Sequence, residues 1–404
     1  MAKIKSKLHL GGYNLVPEVK DQWSLPERVY VVDETLREGE ETPGAIMSID
    51  NKLKIAKFLE KMGVHETNVG FVCSIEDHAE ISRRINKECT KLIGSAYIRV
   101  YGEKGDFKDR VKYAMDTGVE RIAVLAPVSE HIFRSRKELN LNKGKVFEDI
   151  ILSVQKAKEC GVKITCAPYD DTRTDLDYLK TILKTAVEEG ADRALVYDTL
   201  GVQSPQATFY WMRELKKALT VPIEYHCHND FGLAVANTCA AVTAGAEYID
   251  LVINGIGDRA GNASFEETVL ALESLYEVNT GIDMHSLYDA CKLVESITQI
   301  PIPNTKAVCG RNAFIQESDV HVSALLSGHS DAFEPYDPSI VGQQRAIWFG
   351  STTSSYSLEI LAKSMNIELS KSQKKDLMKK IAVKVDKEGH ATQQEVEAFI
   401  SEVK

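Results

Sequence analysis

The feature that most constrains this chain is an alternation of strand-like and helix-like segments that repeats eight times after residue 28. Each strand-like segment is a short apolar run, and each helix-like segment shows apolar side chains at helical spacing. The strand-like segments are 28–33, 64–71, 91–100, 121–126, 162–167, 194–198, 223–228 and 248–253. The helix-like segments are 50–62, 76–87, 107–117, 147–159, 175–189, 205–218, 232–244 and 264–276. Such an alternation predicts an α/β fold around a parallel sheet.

The number of units predicts how the sheet closes. Eight consecutive strand–helix units over roughly 250 residues are typical of a (β/α)8 TIM barrel. An open doubly wound sheet is the alternative, but no glycine-rich nucleotide fingerprint follows the first strand. The alternation then stops, and helical patterns at 283–299, 311–327, 354–365, 370–385 and 391–403 predict a mainly helical C-terminal module. The predicted divisions are an N-terminal arm at 1–28, the barrel at 29–280, a linker helix and connection at 281–310, and helical subdomains at 311–404.

Charge and cysteine usage argue against several classes of protein. The net charge of -10 argues against nucleic acid as a main partner, because a phosphate-binding surface needs an excess of lysine and arginine. The eight cysteines form no CxxC pair, which favours free thiols in a reducing cytosol over a disulfide framework. The first residues lack the apolar core of a secretion signal, and no run is long enough to cross a membrane. We therefore expect a soluble cytoplasmic protein without membrane or nucleic-acid partners.

Two histidines mark the end of the seventh predicted strand. Side chains alternate along a strand, so His226 and His228 face the same side. By themselves they fit a metal site and a pair of hydrogen-bonded core histidines equally well. The first strand ends in the acidic cluster 33–40, and in a closed barrel both strand ends face the same mouth. A carboxylate with two imidazoles is a common set of ligands for a divalent cation, so the combination favours metal over a plain acidic surface loop.

Two more strand ends carry polar groups. The eighth strand runs into the glycine-containing turn 254–262, where Asn262 could offer an oxygen to a metal or hold a bound water. The sixth strand is followed by Thr199, whose hydroxyl could reach a carboxylate at the centre of the mouth or could cap the next helix. For Thr199 alone, capping is the better-supported interpretation.

Six motifs in chain order resemble those of one enzyme family. They are DETLREGEETPG at 33–44, YDTLGVQSP at 197–205, HCHNDFGLAVANT at 226–238, NGIGDRAGNASFEE at 254–267, GRNAFIQESDVH at 310–321 and EPYDPSIVG at 334–342. This set resembles the acetyl-CoA-dependent 2-oxo-acid condensing enzymes, which include 2-isopropylmalate, homocitrate and citramalate synthases. The resemblance implies an acyltransferase that joins acetyl-CoA to a 2-oxo acid in a metal-dependent Claisen-type condensation and releases CoA.

The resemblance also implies roles for individual residues. The implied ligands of a divalent metal (Zn, Mn or Mg) are Glu38, His226, His228 and, more weakly, Asn262. The implied substrate-binding residues are Arg37 beside the keto oxygen, Thr199 at the carboxylate, and Asp170. The implied catalytic residues are Arg37, His321, Glu317 and Tyr336. In this family the C-terminal module commonly reaches over the barrel of a partner subunit, so a domain-swapped homodimer is implied as well.

Three positions depart from the family's pattern. Asn68 replaces an acid at the end of the second strand, and Tyr169 stands where the fifth strand usually carries glutamate. Phe333 stands where a tyrosine is usual, although Tyr336 lies three residues further on. These changes affect the base and its support, whereas the implied metal ligands are all present.

The third and fifth strands bear on the choice of substrate. Homocitrate synthases typically carry basic groups there that hold a distal carboxylate, whereas this chain has Thr165 on the fifth strand. The third strand offers Tyr97 and Tyr101, with Arg99 between them. Because a carboxylate left unpaired in such a pocket would be costly, we expect a small apolar substrate such as 2-oxoisovalerate. The leading prediction is therefore a 2-isopropylmalate synthase of leucine biosynthesis.

Several alternatives stay open. Homocitrate or citramalate synthase is the first. Isopropylmalate synthases usually carry a further C-terminal regulatory domain, whereas this sequence ends at Lys404, which fits a truncated chain or a short, unregulated synthase. A carbon–carbon lyase similar to 3-hydroxy-3-methylglutaryl-CoA lyase is the second, because CAPYD at 166–170 faintly resembles the lyases' CPYEG. The third is a non-catalytic metal- or ligand-binding homologue without the base at Tyr169 and Phe333.

Overall fold

The computed structural model describes residues 6–403, which form two compact units. One unit runs from Gly12 to Pro301, and the other contains the residues from Ile302 onward together with the N-terminal residues up to Gly11. The first five residues of the predicted N-terminal arm lie outside the described part. Among the helices of residues 6–403, none combines the length and the apolar character needed to cross a membrane.

The first unit is the predicted (β/α)8 barrel. Its eight strands pair in parallel in chain order, and the first strand closes on the eighth. The strands are β1 (Tyr30–Asp33), β2 (Glu66–Asn68), β3 (Ile93–Arg99), β4 (Arg121–Pro127), β5 (Lys163–Tyr169), β6 (Arg193–Asp198), β7 (Ile223–Cys227) and β8 (Tyr248–Leu251). They are rich in apolar residues because the barrel core covers one face and the helices cover the other. The prediction of eight strands is confirmed, with ends displaced by a few residues.

Amphipathic helices surround the barrel and bury one apolar face against it. The α-helices of this unit are Pro17–Lys20, Ile49–Met62, Glu76–Glu88, Phe107–Asp116, Glu130–Ser135, Lys143–Lys158, Leu176–Glu189, Pro205–Ala218, Ala234–Thr243, Phe265–Leu275 and Leu287–Thr298. The helix at 287–298, which the sequence prediction assigns to a linker, lies within this unit. The helix at 130–135 is absent from the prediction, because six residues are too few to show a helical period. It begins where Ser129 Oγ accepts the backbone N–H of Ile132.

A buried ion cluster closes the end of the barrel at which the strands begin. The guanidinium of Arg193 donates to Glu224 Oε2 at 2.8 Å and to Glu66 Oε2 at 3.0 Å. These three side chains are at most 4% exposed, and the ring of Tyr248 lies 3.6 Å from the guanidinium carbon. The charges compensate one another only while all three groups are present.

Replacing Arg193 with methionine is expected to lower the free energy of unfolding by about 3–5 kcal/mol, because two buried carboxylates lose their hydrogen-bonded cation. Arg121 Nε, 3.9 Å from Glu66 Oε2, is then the remaining cation near Glu66. Urea denaturation followed by circular dichroism measures this change. The matched control is Arg213→Met, which removes an exposed arginine from the helix at 205–218 and should change stability by less than about 0.5 kcal/mol. Equal stabilities of the two variants would contradict the structural role of Arg193.

The second unit is mainly helical, as predicted, but it also contains a small sheet. Its helices are Asp319–Leu326, Ser355–Ser364, Lys371–Glu388 and Gln393–Glu402. The sheet has the order β11 (Ala391–Thr392), β10 (Ala346–Phe349), β9 (Ile315–Gln316). Phe349, Leu358 and Leu361 are fully buried and form the centre of its core. The N-terminal residues join this unit, because His9 N–H donates to the carbonyl of Pro335 at 2.9 Å.

The prediction of one helix over 311–327 is wrong. The chain forms a 3-10 turn at Arg311–Phe314, continues as β9, and begins an α-helix only at Asp319. The strand β9 pairs in parallel with β10, so its backbone hydrogen bonds go to a segment far along the chain. A periodicity search over local sequence cannot detect such a partner.

Candidate active site

The ends of β1 and β7 bring three of the predicted ligand side chains together. His226 Nε2 lies 3.3 Å from His228 Nε2 and 3.6 Å from Glu38 Oε1, and His228 Nε2 lies 4.0 Å from the same oxygen. All three residues are buried. Burial lowers the pKa of His226, and it lowers the pKa of His228 to about 4, so both imidazoles are neutral at neutral pH. Three lone-pair donors thus face one another, an arrangement that suits a cation between them.

Asp250 orients His226 through the ring nitrogen that points away from Glu38 and His228. Its Oδ2 lies 3.0 Å from Nδ1 of His226 in the barrel core. When Nδ1–H donates to this carboxylate, Nε2 is left as the lone-pair nitrogen that faces Glu38 and His228. Asp250 is not among the site residues predicted from the sequence. The available signal was an acid inside the buried strand β8, where a carboxylate needs a hydrogen-bonding partner.

Asn262 lies beside the same cluster, in the turn after β8. Its amide nitrogen is 3.1 Å from His226 Nε2, and half a turn of the amide would present the oxygen instead. Within residues 6–403, Asn262 Oδ1 and Glu38 Oε2 are buried and accept no hydrogen bond. Buried oxygen acceptors without donors are unfavourable alone, and oxygens of this kind are common ligands of divalent cations. The residues present therefore fit a divalent cation.

Arg37 lies next to this cluster. Its guanidinium contacts the carboxylate of Glu38, lies 3.5 Å from Glu41 Oε1, and lies 5.0 Å from the ring centre of Tyr97. Burial alone would lower the pKa of Arg37, but Glu41 and the neighbouring groups raise it above its ordinary value. Arg37 is therefore a permanent positive charge beside the three candidate ligands.

Thr199 lines the same pocket as the two histidines. Its Oγ1 accepts the backbone N–H of Asp170 at 2.9 Å, so its hydroxyl hydrogen can be directed to a ligand. The capping interpretation of Thr199 is wrong, because Ser204 is the residue that caps the helix at 205–218. Thr199 thus offers a donor to the pocket in which Arg37 offers a charge.

The structure does not bring Asp170 into the pocket. Its carboxylate is fully buried and accepts hydrogen bonds from Arg173 Nε at 2.7 Å, from Arg173 Nη2 at 2.6 Å and from Ser129 Oγ. These bonds join the loops after β4 and β5 and hold the backbone N–H that meets Thr199. The direct contact with substrate that the sequence predicts for Asp170 has no support in this arrangement.

The strands β3 and β5 and the loop after β4 supply a second wall of the pocket, which we call the far wall. It includes Arg99 at the end of β3, Tyr169 at the end of β5, and Arg136 just after the helix at 130–135. Burial lowers the pKa of Arg99, the charge of Glu103 opposes that shift, and the nearby charges of Arg37 and Arg136 add to it. Three arginines therefore share one pocket. Arg136 is not among the site residues predicted from the sequence, because its position depends on a helix too short to show helical periodicity.

The C-terminal unit contains the other predicted catalytic residues, which are His321, Glu317 and Tyr336. His321 Nδ1 lies 2.8 Å from Gln316 Oε1, and its ring stacks on Phe333 with ring centres 4.0 Å apart. Tyr336 meets Phe314 edge-on at 5.4 Å. The acid–base roles of these residues stay predictions.

Comparison with known families identifies the class of protein. The HMGL-like family model matches residues 28–294, and the model described as homocitrate synthase post-HMGL domain-like matches residues 308–389. The chain therefore belongs to the HMGL-like family. The closed eight-stranded barrel agrees with this assignment, and the predicted fold class is confirmed.

Curated relatives narrow the class. The 2-isopropylmalate synthase of Methanocaldococcus jannaschii is 37% identical over 393 residues, which are 96% of this chain and 74% of the relative. The homocitrate synthase AksA of Methanopyrus kandleri is 34% identical over 96% of both chains. The putative (R)-citramalate synthase CimA of the same organism is 34% identical over 94% of this chain and 73% of its own. The chain belongs to this group of condensing synthases, and it is an enzyme of the acyltransferase type.

A solved structure supports the fold alone. The HMG-CoA lyase of Bacillus subtilis superposes with a TM-score of 0.60 at 19% sequence identity. The match covers 72% of this chain and 98% of the lyase.

Proposed function

We propose that this enzyme condenses acetyl-CoA with a 2-oxo acid and releases CoA, with a divalent cation bound at the mouth of the barrel. The observation that supports the proposal most is the convergence of Glu38, His226 and His228 beside Arg37. Two neutral imidazoles, a carboxylate and a nearby fixed positive charge suit the carboxylate and keto oxygen of a 2-oxo acid.

Each side chain has a defined task in this reaction. The three clustered side chains and Asn262 would hold the ion, which supplies Lewis-acid polarisation of the keto carbonyl. Thr199 donates a hydrogen bond to the carboxylate of the oxo acid and orients it. As the new carbon–carbon bond forms, negative charge develops on the keto oxygen, and Arg37 stabilises that charge. A proton donor converts the alkoxide to a hydroxyl group, and water then hydrolyses the thioester to give a carboxylate and free CoA.

The proton transfers are assigned by resemblance. We assign removal of a proton from the acetyl methyl group to His321, supported by Glu317 and Tyr336, because a neutral imidazole nitrogen can accept a proton as a general base. The resemblance also implies that the C-terminal module reaches over a partner's barrel, so the proposal includes a domain-swapped homodimer. Light scattering coupled to gel filtration measures the mass of the particle in solution and tests the dimer.

The identity of the oxo acid is the finer part of the proposal. The sequence favours 2-oxoisovalerate, while the relatives carry the names of 2-isopropylmalate, homocitrate and citramalate synthases. The far wall of the pocket bears on this choice, because it carries Arg99 and Arg136 in addition to apolar groups.

Release of free CoA, detected with a thiol reagent, tests the proposed reaction. We expect release with at least one of 2-oxoisovalerate, pyruvate, oxaloacetate and 2-oxoglutarate, loss of activity with a chelator, and recovery on addition of Mn²⁺, Mg²⁺ or Zn²⁺. A reaction without oxo acid measures background hydrolysis of acetyl-CoA. Cleavage of 3-hydroxy-3-methylglutaryl-CoA instead would indicate a lyase, and binding of oxo acid without turnover would indicate a non-catalytic homologue. No release with any acid in the presence of metal would overturn the proposal.

A further inference from the structure

Arg136 is an exposed arginine that lines the pocket. It lines the cavity that also contains the two histidines, and it follows the short helix at 130–135. Within residues 6–403 no carboxylate lies within ion-pair distance of it. Another cation lies near it in the pocket, because the charge of Arg136 contributes to lowering the pKa of Arg99.

Arg99 is only weakly compensated. Its guanidinium lies 3.6 Å from the ring centre of Phe71, which holds it at the end of β3. The nearest carboxylate, Glu103, is 3.9 Å away and is already engaged by Arg110 Nη1 at 2.6 Å and by Ser74 Oγ at 2.6 Å. An ion pair at that distance with a shared carboxylate is weak. Arg99 and Arg136 thus leave positive charge on the far wall.

The barrel topology sets the direction in which a substrate would extend. The candidate ligands come from β1 and β7, and the far wall comes from β3 to β5, which lie across the eight-stranded ring. Arg99 pairs in register with Leu125, so an apolar side chain lies beside the arginine along this wall. A 2-oxo acid held at its carboxylate and keto group by Thr199 and Arg37 would direct the rest of its carbon chain towards Leu125 and then towards the two arginines.

We propose that Arg99 and Arg136 bind a second acidic group at the distal end of the substrate, so that the enzyme prefers a 2-oxo acid with a terminal carboxylate or an isosteric phosphonate. The inference rests on the proposed condensation reaction and names its substrate class. It replaces the expectation of 2-oxoisovalerate, which is based on Thr165, Tyr97 and Tyr101.

Charge and desolvation explain the preference. An isopropyl group against the far wall would remove water from two guanidinium groups and give them no acceptor in return. A terminal carboxylate would accept charge-assisted hydrogen bonds from both arginines, and the hydroxyl of Tyr169 lies on the same wall. Burial raises the pKa of Tyr169, so its hydroxyl remains a donor. Arginine suits this task because its planar group matches a carboxylate or phosphonate.

Pairs of acids of equal chain length test the proposal. Each pair differs only in the terminal group: oxaloacetate against 2-oxobutyrate, 2-oxoglutarate against 2-oxopentanoate, and 2-oxoadipate against 2-oxohexanoate. We expect kcat/KM from CoA release to favour the diacid by about 100-fold in at least one pair, because a site built for a polar group discriminates against its absence. 3-Phosphonopyruvate in a further arm separates a phosphonate substrate from a carboxylate. A higher kcat/KM for the monocarboxylic acid in every pair would overturn the inference.

Single variants test the assignment to the two arginines. We expect kcat/KM for the preferred diacid to fall by about 10-fold to 100-fold in Arg136→Gln and in Arg99→Gln. In both variants, kcat/KM for the paired monocarboxylic acid should stay nearly unchanged. The matched control is Arg134→Gln, an exposed arginine on the same short helix that does not line the pocket, which should change neither value. Thermal melting of each variant shows that it is folded.

The outcomes separate this inference from the proposed function. Absence of CoA release with every acid would remove the proposed function itself. Release of CoA with the monocarboxylic 2-oxo acids alone would support the proposed condensation but overturn the distal-acid subsite. A rise in KM for acetyl-CoA, with KM for the oxo acid unchanged, would show that the arginines bind the phosphates of CoA and would also overturn the inference.

Discussion

Replacing His228 with alanine is expected to abolish the condensation activity and the binding of a divalent metal together. The change removes one of three atoms that converge within 4.8 Å of one another, and a chelating set of two ligands holds a divalent ion much more weakly. Because the ion contributes several kcal/mol to stabilisation of the transition state, kcat/KM should fall by about 1000-fold or more. Elemental analysis of the purified variant should find far less than the stoichiometric metal of the parent protein.

A histidine away from the barrel mouth provides the control. His285 is exposed in the 3-10 helix Met284–Ser286, and His285→Ala should retain both metal and activity. Full metal content in the His228 variant would contradict the candidate ligand set. Loss of metal with activity retained would contradict the role of the ion in the reaction.

Replacing Arg37 with glutamine is expected to lower kcat by about 100-fold to 1000-fold while metal content stays unchanged. The guanidinium lies beside the candidate ligands and is the fixed positive charge on that side of the pocket, so its loss removes stabilisation of the developing oxyanion. Glutamine keeps a hydrogen-bond donor but no charge, and Arg37→Lys keeps charge without the planar group, so lysine should recover only part of the activity.

The stability of the Arg37 variants must be measured alongside their kinetics. Burial already raises the pKa of Glu34 to about 8, and Arg37 counters that rise, so removal of the arginine favours a protonated Glu34. That response limits the loss of stability, because a neutral carboxyl is less costly to bury than a carboxylate. A variant that melts like the parent protein and keeps its kcat would exclude Arg37 from the chemistry.

The barrel could be predicted because each strand–helix unit has a pattern of apolar residues in its own short stretch of sequence. Eight apolar runs with helices between them define the fold, and the strand ends place His226, His228 and Glu38 at the same mouth. The sheet of the C-terminal unit could not be predicted, since β9 and β11 have two residues each and exist through pairing with β10. Strands of that length have no period of their own.

The candidate site was predictable where a residue's role depends on strand order, and unpredictable where it depends on side-chain direction. Asp170 follows β5 as expected, but its backbone has a φ of 70°, and its carboxylate turns to Arg173 and Ser129. Asp250 meets His226 across two neighbouring strands, and Arg136 reaches the pocket from a helix of six residues. In each case tertiary packing determines what the side chain contacts, and a local sequence pattern does not contain that information.

The division of the pocket between different strands of the barrel has a consequence for how its specificity can evolve. In the proposed reaction, the residues that hold the reacting end of the substrate follow β1, β6, β7 and β8, whereas the far wall comes from β3, β5 and the loop after β4. We therefore expect mutations at Arg99 or Arg136 to alter which acid is accepted while Arg37 and the candidate metal ligands are kept. A combinatorial library confined to these two positions and Tyr169 is a direct route to synthases that make new branched hydroxy acids.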